Sequence, residues 1–216
     1  MRTSSAPGKL GPDSERGMTL VELMVAIMIG LFLTGGLLTL VQAMKRTTVN
    51  QSGLSQLQDN ERMAMTLITD VIKSTGYYTN PLVNTAASSF PVVNYNANAN
   101  FTTAGQALVG TGAYAAGTNV VTSRYATAGT TTGTDNIINC TGNTWAVAAT
   151  FVNTFSLDGN GNLQCTLIVN GGQPTTVPLI SGIQKMQIYY GVQTNGAAGT
   201  NSVDTYMDAA SVTAAG

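Results

Sequence analysis

The chain has 216 residues, a formal net charge of −1 and no histidine, and only 9% of its residues are charged. Without histidine the commonest general base and metal ligand is missing, so catalysis is disfavoured, and we predict no catalytic residue, metal site or cofactor. Beyond Gly76 only Arg124 and Lys185 are basic, which leaves no basic face for phosphates and argues against direct nucleic-acid binding.

Residues 1–17 are polar, contain Gly, Pro and Ser, and show no apolar periodicity. Three basic residues, Arg2, Lys9 and Arg16, favour retention of this segment on the cytoplasmic side of a membrane. We therefore expect an unstructured cytoplasmic leader ahead of the first helix.

An apolar run follows, in which 22 residues without formal charge separate Glu22 from Lys45. About 20 apolar residues, each rising about 1.5 Å, cross a hydrocarbon core as a helix, so this run can span a membrane. A carboxylate at the head of such a run costs about 1–3 kcal/mol unless it is neutralised. The position of Glu22 therefore calls for a partner.

Three kinds of segment could explain this run. A secretory signal peptide has a shorter apolar core and a small-residue cleavage site behind it, and a plain membrane anchor leaves Glu22 unexplained. A signal that is cut before the apolar run, between Gly17 and Met18, would create a new α-amine close to Glu22. The amine and the carboxylate of neighbouring subunits could then neutralise each other in an apolar environment.

The helix is predicted to continue from Met18 to Gly76, because no proline occurs from Met18 to Asn80 and Gly76 suits a C-terminal cap. Residues 18–44 are apolar all round, so we expect them in lipid or against other copies of such a helix. Residues 45–76 carry one apolar stripe, which predicts packing on a sheet of the same chain. A coiled-coil seam is the alternative, although heptads are not sustained.

Three glycines, Gly30, Gly35 and Gly36, interrupt the apolar part of the helix. Each weakens a helix by about 1 kcal/mol relative to alanine, so the helix could bend or partly melt there. Close packing between helices in a membrane is the alternative explanation. The sequence leaves both open.

Residues 77–216 are expected to form a β-rich globular head. Residues 80–117 are rich in Asn, Ala, Thr and Gly and predict a long irregular connection with short strands at 90–95 and 107–109. The tail, residues 196–216, is small and polar and is expected to be mobile. Aromatic and β-branched residues in alternation predict the remaining strands, at 119–127, 145–157, 163–169, 176–179 and 183–190.

The sequence Asp-Gly-Asn-Gly-Asn at residues 158–162 is a strong hairpin signal between two predicted strands. It also resembles the start of a calcium loop, but the sixth position is Leu163 and the twelfth is Val169, where such loops have Gly and Glu. A plain turn is favoured.

The chain contains two cysteines, Cys140 and Cys165. The low content of charged residues suits an exported protein, and in an oxidising compartment a lone pair usually forms one disulfide. Such a bond would close a 25-residue loop and stabilise the fold by about 3–4 kcal/mol on the chain-entropy estimate. Two buried free thiols are the alternative, and a metal site made of two cysteines without histidine is disfavoured.

The sequence G-M-T-L-V-E at residues 17–22, followed by L-M-V-A-I-M-I-G-L-F-L, closely resembles the N-terminus of type IV pilins and pseudopilins. The resemblance implies that a dedicated prepilin peptidase cuts after Gly17 and methylates Met18. It also implies that Glu22 meets the Met18 amine of a neighbour and sets the register between subunits. The implied fold is α+β and type IV pilin-like, with one long N-terminal helix packed on an antiparallel β-sheet head.

Four segments of the head resemble PilW-type minor pilins, which are related to the J-type minor pseudopilins of type II secretion. Two departures accompany this resemblance. The segment T-N-G-A-A-G-T-N stands where relatives commonly have an acidic, Gly-rich segment, and the sequence stops at Gly216 where relatives usually continue into a final strand. A missing final strand would leave a sheet edge in need of a partner. The four segments are V-T-S-R-Y-A-T, D-N-I-I-N-C-T-G-N, L-D-G-N-G-N-L-Q-C and L-I-S-G-I-Q-K-M-Q-I-Y-Y-G-V.

The resemblance implies a structural subunit that waits in the bacterial inner membrane, with its N-terminus in the cytoplasm, and then enters an extracellular pilus filament. Its implied partners are other pilin subunits, contacted through the N-terminal helix, the prepilin peptidase, an inner-membrane assembly platform and membrane lipid. A minor pilin that primes or caps filament assembly fits the head best. The alternatives are a minor pseudopilin of type II secretion or DNA uptake and a major fibre subunit. A membrane-tethered enzyme is disfavoured, because the head offers no nucleophile–base pair.

Overall fold

The computed structural model describes residues 17–95, 99–113, 117–131, 135–195 and 202–215. The predicted leader therefore lies outside the described residues, apart from Gly17. In chain order the elements are α1 (Leu20–Lys73), α2 (Ala86–Ser89), β1 (Val93–Asn94), β2 (Asn100–Phe101), β3 (Leu108–Thr111), β4 (Val120–Thr127), β5 (Ala149–Leu157), β6 (Asn162–Val169), β7 (Thr175–Ser181), β8 (Tyr190–Val192), β9 (Thr205–Met207) and α3 (Ala209–Ala215).

The helix α1 runs over 54 residues from Leu20 to Lys73, as the proline-free sequence predicts. One turn later Gly76 has a φ of +78°, which glycine adopts at little cost. Its N–H donates to the backbone oxygen of Arg124 at 3.0 Å, so the end of the helix is tied to strand β4.

The contacts within the chain define two units, with a boundary inside α1 between Leu54 and Ser55. In the first unit every described residue, 17–54, is exposed. The second unit is a head in which the remaining part of α1 packs on a β-sheet.

Five antiparallel strands form the main sheet in the order β3-β4-β5-β6-β7. Each strand pairs with its neighbours in sequence, and the central register places Tyr125 opposite Phe151 and Phe155 opposite Cys165. The predicted turn at residues 158–162 joins β5 to β6. A long N-terminal helix with an antiparallel sheet is the α+β fold that the sequence predicts, and the prediction is confirmed.

One face of the sheet is covered by the part of α1 that belongs to the head. Ala64 and Val71 of the helix are 7% and 2% exposed and lie in one buried cluster with Phe151, Phe155 and Leu163 of the sheet. The helical period of about 3.6 and the strand period of two bring these side chains to facing surfaces. The predicted packing of the apolar stripe on a sheet of the same chain is confirmed for residues 64–72, whereas Leu54 and Leu57 at its start are exposed.

The opposite face is covered by the connection between α1 and β3. Ala99 and Phe101 are fully buried there against Val152 and Ile168. Because both faces are covered, β5 is buried along most of its length, whereas many antiparallel sheets leave one face to solvent. The sequence predicts an irregular connection with short strands near those observed as β1 and β3, but its place in the core is a finding of the structure.

A buried cation holds this connection against the sheet. Arg124 on β4 is 1% exposed, and the Cζ atom of its guanidinium lies 4.0 Å from the ring centroid of Phe101. Among the described residues no carboxylate forms an ion pair with it, and burial lowers the pKa of Arg124. Carbonyl dipoles and a ring face therefore stand in for a counter-ion. The guanidinium donates to the backbone oxygens of Gln106 (2.6 Å), Pro91 (2.8 Å) and Phe90 (3.1 Å).

The strand predicted at residues 183–190 is wrong. The structure has an isolated bridge between Met186 and Thr118 in this stretch, and β8 begins only at Tyr190. Met186 donates to the Gly117 backbone oxygen at 2.8 Å, so an apolar pattern typical of a strand here serves a loop that packs on the core cluster.

The expectation of a mobile tail is also wrong for its described residues, since 202–215 contain β9 and α3. Helix α3 lies against β3 at Gly110. A side chain at Gly110 would collide with the Tyr190 ring and approach the Ala209 Cβ to 3.0 Å. The glycine therefore makes room for the C-terminal part of the chain.

The Asp204 carboxylate links the residue before β9 to the residues that follow β8. Asp204 accepts hydrogen bonds from the backbone N–H groups of Thr194 (2.9 Å) and Asn195 (2.8 Å) and from the Thr194 hydroxyl (3.1 Å). These hydrogen bonds, the Thr194 N–H foremost, favour the ionised carboxylate and lower the pKa of Asp204.

This carboxylate predicts a pH dependence of stability. Since the pKa of Asp204 is lowered in the folded chain, its contribution is present above the unfolded value of about 4 and is lost as the pH falls through the folded value. An Asp204→Asn variant should melt at a lower temperature than the unmodified chain at pH 7, and the difference should shrink below about pH 3. Thermal unfolding over a pH series measures this, with Asp59→Asn on α1 as the control. A difference that stays the same at every pH would contradict the assignment.

Replacing Arg124 by methionine should lower the free energy of unfolding by about 3–5 kcal/mol, because the hydrogen bonds from its guanidinium to Gln106, Pro91 and Phe90 and its contact with the Phe101 ring are lost. Denaturant unfolding of the full chain in detergent measures the change. Lys185→Met is the matched control, since Lys185 is exposed, and should change the stability by less than about 0.5 kcal/mol. Equal effects of the two substitutions would refute the structural role of the buried guanidinium.

Candidate functional site

Thr19 begins the helix α1. Its backbone oxygen accepts from the Leu23 N–H at 3.2 Å, and its hydroxyl oxygen accepts from the Glu22 N–H at 3.3 Å. This is the N-cap position of a Thr-x-x-Glu pattern, in which the side chain satisfies an N–H that the helix leaves unpaired. Loss of such a cap typically costs about 1 kcal/mol. Sequence reasoning missed Thr19, although the Thr-x-x-Glu spacing ahead of an apolar run signals it.

The predicted processing residues lie immediately before this cap. Gly17 and Met18 are exposed and outside the helix, and Glu22 stands in the first helical turn. The positive end of the helix dipole favours a carboxylate there. Among the described residues Glu22 has no ion-pair partner; the one ion pair described joins Asp70 to Lys73 in the last turns of α1.

An apolar surface follows Glu22 along α1 as far as Met44. Of the described helices, α1 is the one that is long and apolar enough to cross a membrane, and none of its most apolar stretch is buried. Burial of this surface would gain about 25 cal/mol for each Å² removed from water. The exposed large apolar side chains of residues 18–44 are Met18, Leu20, Val21, Leu23, Met24, Val25, Ile27, Met28, Ile29, Leu31, Phe32, Leu33, Leu37, Leu38, Leu40, Val41 and Met44.

The three glycines of this surface lie in unbroken helix. Two threonines accompany them, since the Thr34 hydroxyl donates to the Gly30 backbone oxygen and the Thr39 hydroxyl to that of Gly36, both at 2.7 Å. A side chain added at Gly30, Gly35 or Gly36 would meet no atom within 4 Å. Packing among the described residues therefore does not require these glycines.

The head carries the predicted disulfide between Cys140 and Cys165, whose Cα atoms lie 6.1 Å apart. Cys165 sits in the middle of β6, while Cys140 belongs to the loop that precedes β5. Asn153 of β5 positions this loop, because its buried side-chain oxygen accepts from the Cys140 N–H at 2.8 Å. The bond thus fixes the loop before residue 145 to the central strands.

The turn at residues 158–162 is held by the Asp158 carboxylate. One oxygen accepts from the N–H groups of Asn160 and Asn162, both at 2.8 Å, and the other accepts from the Asn162 side-chain amide at 2.7 Å. These bonds, the Asn162 side chain foremost, lower the pKa of Asp158. The geometry is that of the favoured plain turn, with its carboxylate occupied by donors of its own loop.

In the part of the chain that the structure describes, no three or more His, Cys, Asp or Glu side chains are grouped closely enough to hold a metal ion. The arrangement that stands out is therefore the uncovered helix surface headed by Glu22, whose N–H is capped by Thr19 and whose carboxylate has no ion-pair partner among the described residues. Such a surface serves association with lipid or with other helices.

Two family models match the chain. The prokaryotic N-terminal methylation motif matches residues 13–38, which include Gly17, Met18 and Glu22. The type IV pilus-assembly protein W family, PilW, matches residues 150–216, from β5 to the end of the chain. Comparisons with curated proteins and with solved structures return no match.

The two matched segments confirm the resemblance found in the sequence. They indicate a structural subunit, and the methylation motif together with the apolar helix fits membrane anchoring and pilus assembly. The chain resembles type IV pilus-related pilins, and among them the PilW-type minor pilins.

Proposed function

We propose that this pilin is a minor subunit that helps to prime or cap the assembly of a type IV pilus. In this proposal residues 1–17 are the leader, residues 18–44 the membrane and filament-core helix, residues 45–76 the continuation of the helix into the head, and residues 77–216 the head. A prepilin peptidase cuts at the end of the leader and methylates the new N-terminal methionine.

The observation that carries the proposal is the exposed apolar surface of residues 18–44. In a membrane this surface is covered by acyl chains, and in a filament by the equivalent helices of other subunits. Lipid tails and the apolar helices of other subunits both keep water away from this surface. The helix can therefore pass from one environment to the other without exposing its apolar area to water. The subunit can therefore be stored in a bilayer and drawn into a fibre.

In this proposal Glu22 sets the register between neighbouring subunits. Its N–H is occupied by the Thr19 cap, while its carboxylate has no ion-pair partner among the described residues. Cleavage after Gly17 would release an α-amine on Met18, and that amine on a neighbouring subunit would neutralise the carboxylate in apolar surroundings. A buried charge left without its partner costs several kcal/mol, so misaligned subunits are disfavoured.

The partners follow from the same surface. Before assembly the helix lies in inner-membrane lipid with the leader in the cytoplasm, where the peptidase acts. During assembly it meets an inner-membrane platform and other pilin subunits, and the mature chain ends in the extracellular filament.

A Glu22→Ala variant should be processed normally and yet fail to enter filaments, with at least about a tenfold loss, because the neutralising partner of the amine is removed. Immunoblots of membranes report processing through the loss of the leader, and immunoblots of sheared filaments report incorporation. Asp59→Ala is the matched control, an exposed acid on the same helix outside the apolar run, and should leave both unchanged. Normal incorporation of Glu22→Ala would sink the register argument.

The minor role is tested by deleting the gene and counting surface filaments with the retraction motor present and absent. A priming subunit predicts that filaments vanish when retraction is active and return when it is removed. Loss in both backgrounds would point to the major subunit or to an essential initiator. Unchanged filaments with impaired protein export would contradict the priming role and would indicate a secretion pseudopilin.

A further inference from the structure

A cavity of about 430 Å³ opens on the head beside the disulfide loop. Its walls come from the loop of residues 139–145 and from the facing ends of β6 and β7 with the turn that joins them. The volume lies within the range of about 300–1,000 Å³ that is usual for small-ligand sites. The cavity lies wholly within the head, apart from the apolar helix of the proposed assembly role.

The lining combines one aromatic ring with neutral polar groups. Trp145 is 37% exposed, and its ring packs edge-on against Phe151 with centroids 6.1 Å apart. Leu167 and Val169 contribute apolar surface, whereas none of the described residues that line the cavity is Asp, Glu, Lys or Arg. The polar groups at its walls are those of Asn139, Thr141, Asn143, Gln173 and Thr175.

The backbone around Trp145 is fixed by the neighbouring loop. The Trp145 backbone oxygen accepts from the Thr130 N–H at 2.9 Å. Gly129 allows this approach, because it has a φ of +84° and a side chain on it would come within 2.6 Å of the Val147 Cα. The backbone that carries the Trp145 ring is therefore held in place by hydrogen bonding to a neighbouring segment.

One polar group of the cavity is buried and unused. Asn139 is 1% exposed, and its side-chain oxygen accepts from the Thr141 N–H at 3.0 Å and the Thr141 hydroxyl at 2.6 Å. These donors fix the orientation of the amide, so its nitrogen is the remaining atom. That nitrogen is buried and has no hydrogen-bond partner among the described residues. Because this nitrogen is not accessible from the cavity, the amides that a ligand can reach are the exposed ones of Asn143 and Gln173.

The chemistry of the lining narrows the class of ligand. A phosphate, a carboxylate or an ammonium ion would enter the cavity without an opposite charge, which disfavours ionic ligands. A purely apolar ligand would displace water from the exposed amides of Asn143 and Gln173 without replacing its hydrogen bonds. A neutral molecule with one apolar face and a rim of hydroxyl groups satisfies both the indole ring and the amides.

We propose that this cavity binds a neutral saccharide, with the apolar face of a sugar ring against Trp145 and sugar hydroxyls on Asn143 and Gln173. The proposal does not depend on the role in filament assembly. A head without saccharide binding could still enter filaments, and a saccharide-binding head could belong to a chain with another role.

Trp145 is the single tryptophan of the chain, so its fluorescence reports directly on the cavity. The full chain, in a zwitterionic detergent without sugar headgroups, is titrated with D-glucose, D-galactose, D-mannose and N-acetyl-D-glucosamine, and with the open-chain polyol mannitol as a control. At least one of the four sugars should change the emission with saturation at a midpoint of about 1–10 mM, as expected for a small ligand. Mannitol should give no saturable change, because it has no ring face.

Gln173→Ala should raise the midpoint about fivefold, since one hydrogen bond to the sugar is lost. Gln184→Ala is the matched control, an exposed glutamine outside this cavity, and should leave the midpoint unchanged. No saturable response to any of the four sugars up to about 100 mM would overturn the proposal. A saturable response that Gln173→Ala does not alter would place the binding elsewhere and overturn it equally.

Discussion

The constraint on which the rest of the chain depends is the uncovered apolar surface of residues 18–44. Twenty-two consecutive residues without formal charge lie on one helix, and within the first unit every described side chain is exposed. Water cannot be the working environment of such a surface, because each exposed Å² costs about 25 cal/mol. Lipid and other helices are the two environments that satisfy it, and they are the ones a stored filament subunit meets in turn.

The head contains few charged residues, so its fold is stabilised mainly by other interactions. Its sheet is covered on one face by the apolar stripe of α1 and on the other by an extended connection that a buried arginine ties down. The Arg124 guanidinium reaches three backbone oxygens of that connection, and the disulfide anchors the loop before β5. Long-range polar and covalent links therefore stabilise segments whose own secondary structure is short.

Much of this architecture could be predicted from periodicity. The proline-free apolar sequence predicts α1. The alternation of apolar residues predicts β4, β5, β6 and β7 to within a few residues of their observed bounds. The prediction of a strand at residues 183–190 was wrong because their apolar side chains pack on the core from a loop. The prediction of a mobile tail was wrong for its described residues because their fold depends on the space at Gly110. Thr19 was accessible through the Thr-x-x-Glu spacing, whereas the roles of Arg124 and Asn153 arise only when distant segments meet.

The most direct measurement of the central claim is site-specific photo-cross-linking from α1. Phe32 is the most exposed of the large apolar side chains of this helix, at 83%, and can be replaced by a photoreactive phenylalanine analogue. The account predicts cross-links to lipid in isolated membranes and to other pilin subunits in sheared filaments. If the chain is recovered in filaments but forms no cross-link to another pilin subunit, the proposed packing of this helix surface is contradicted.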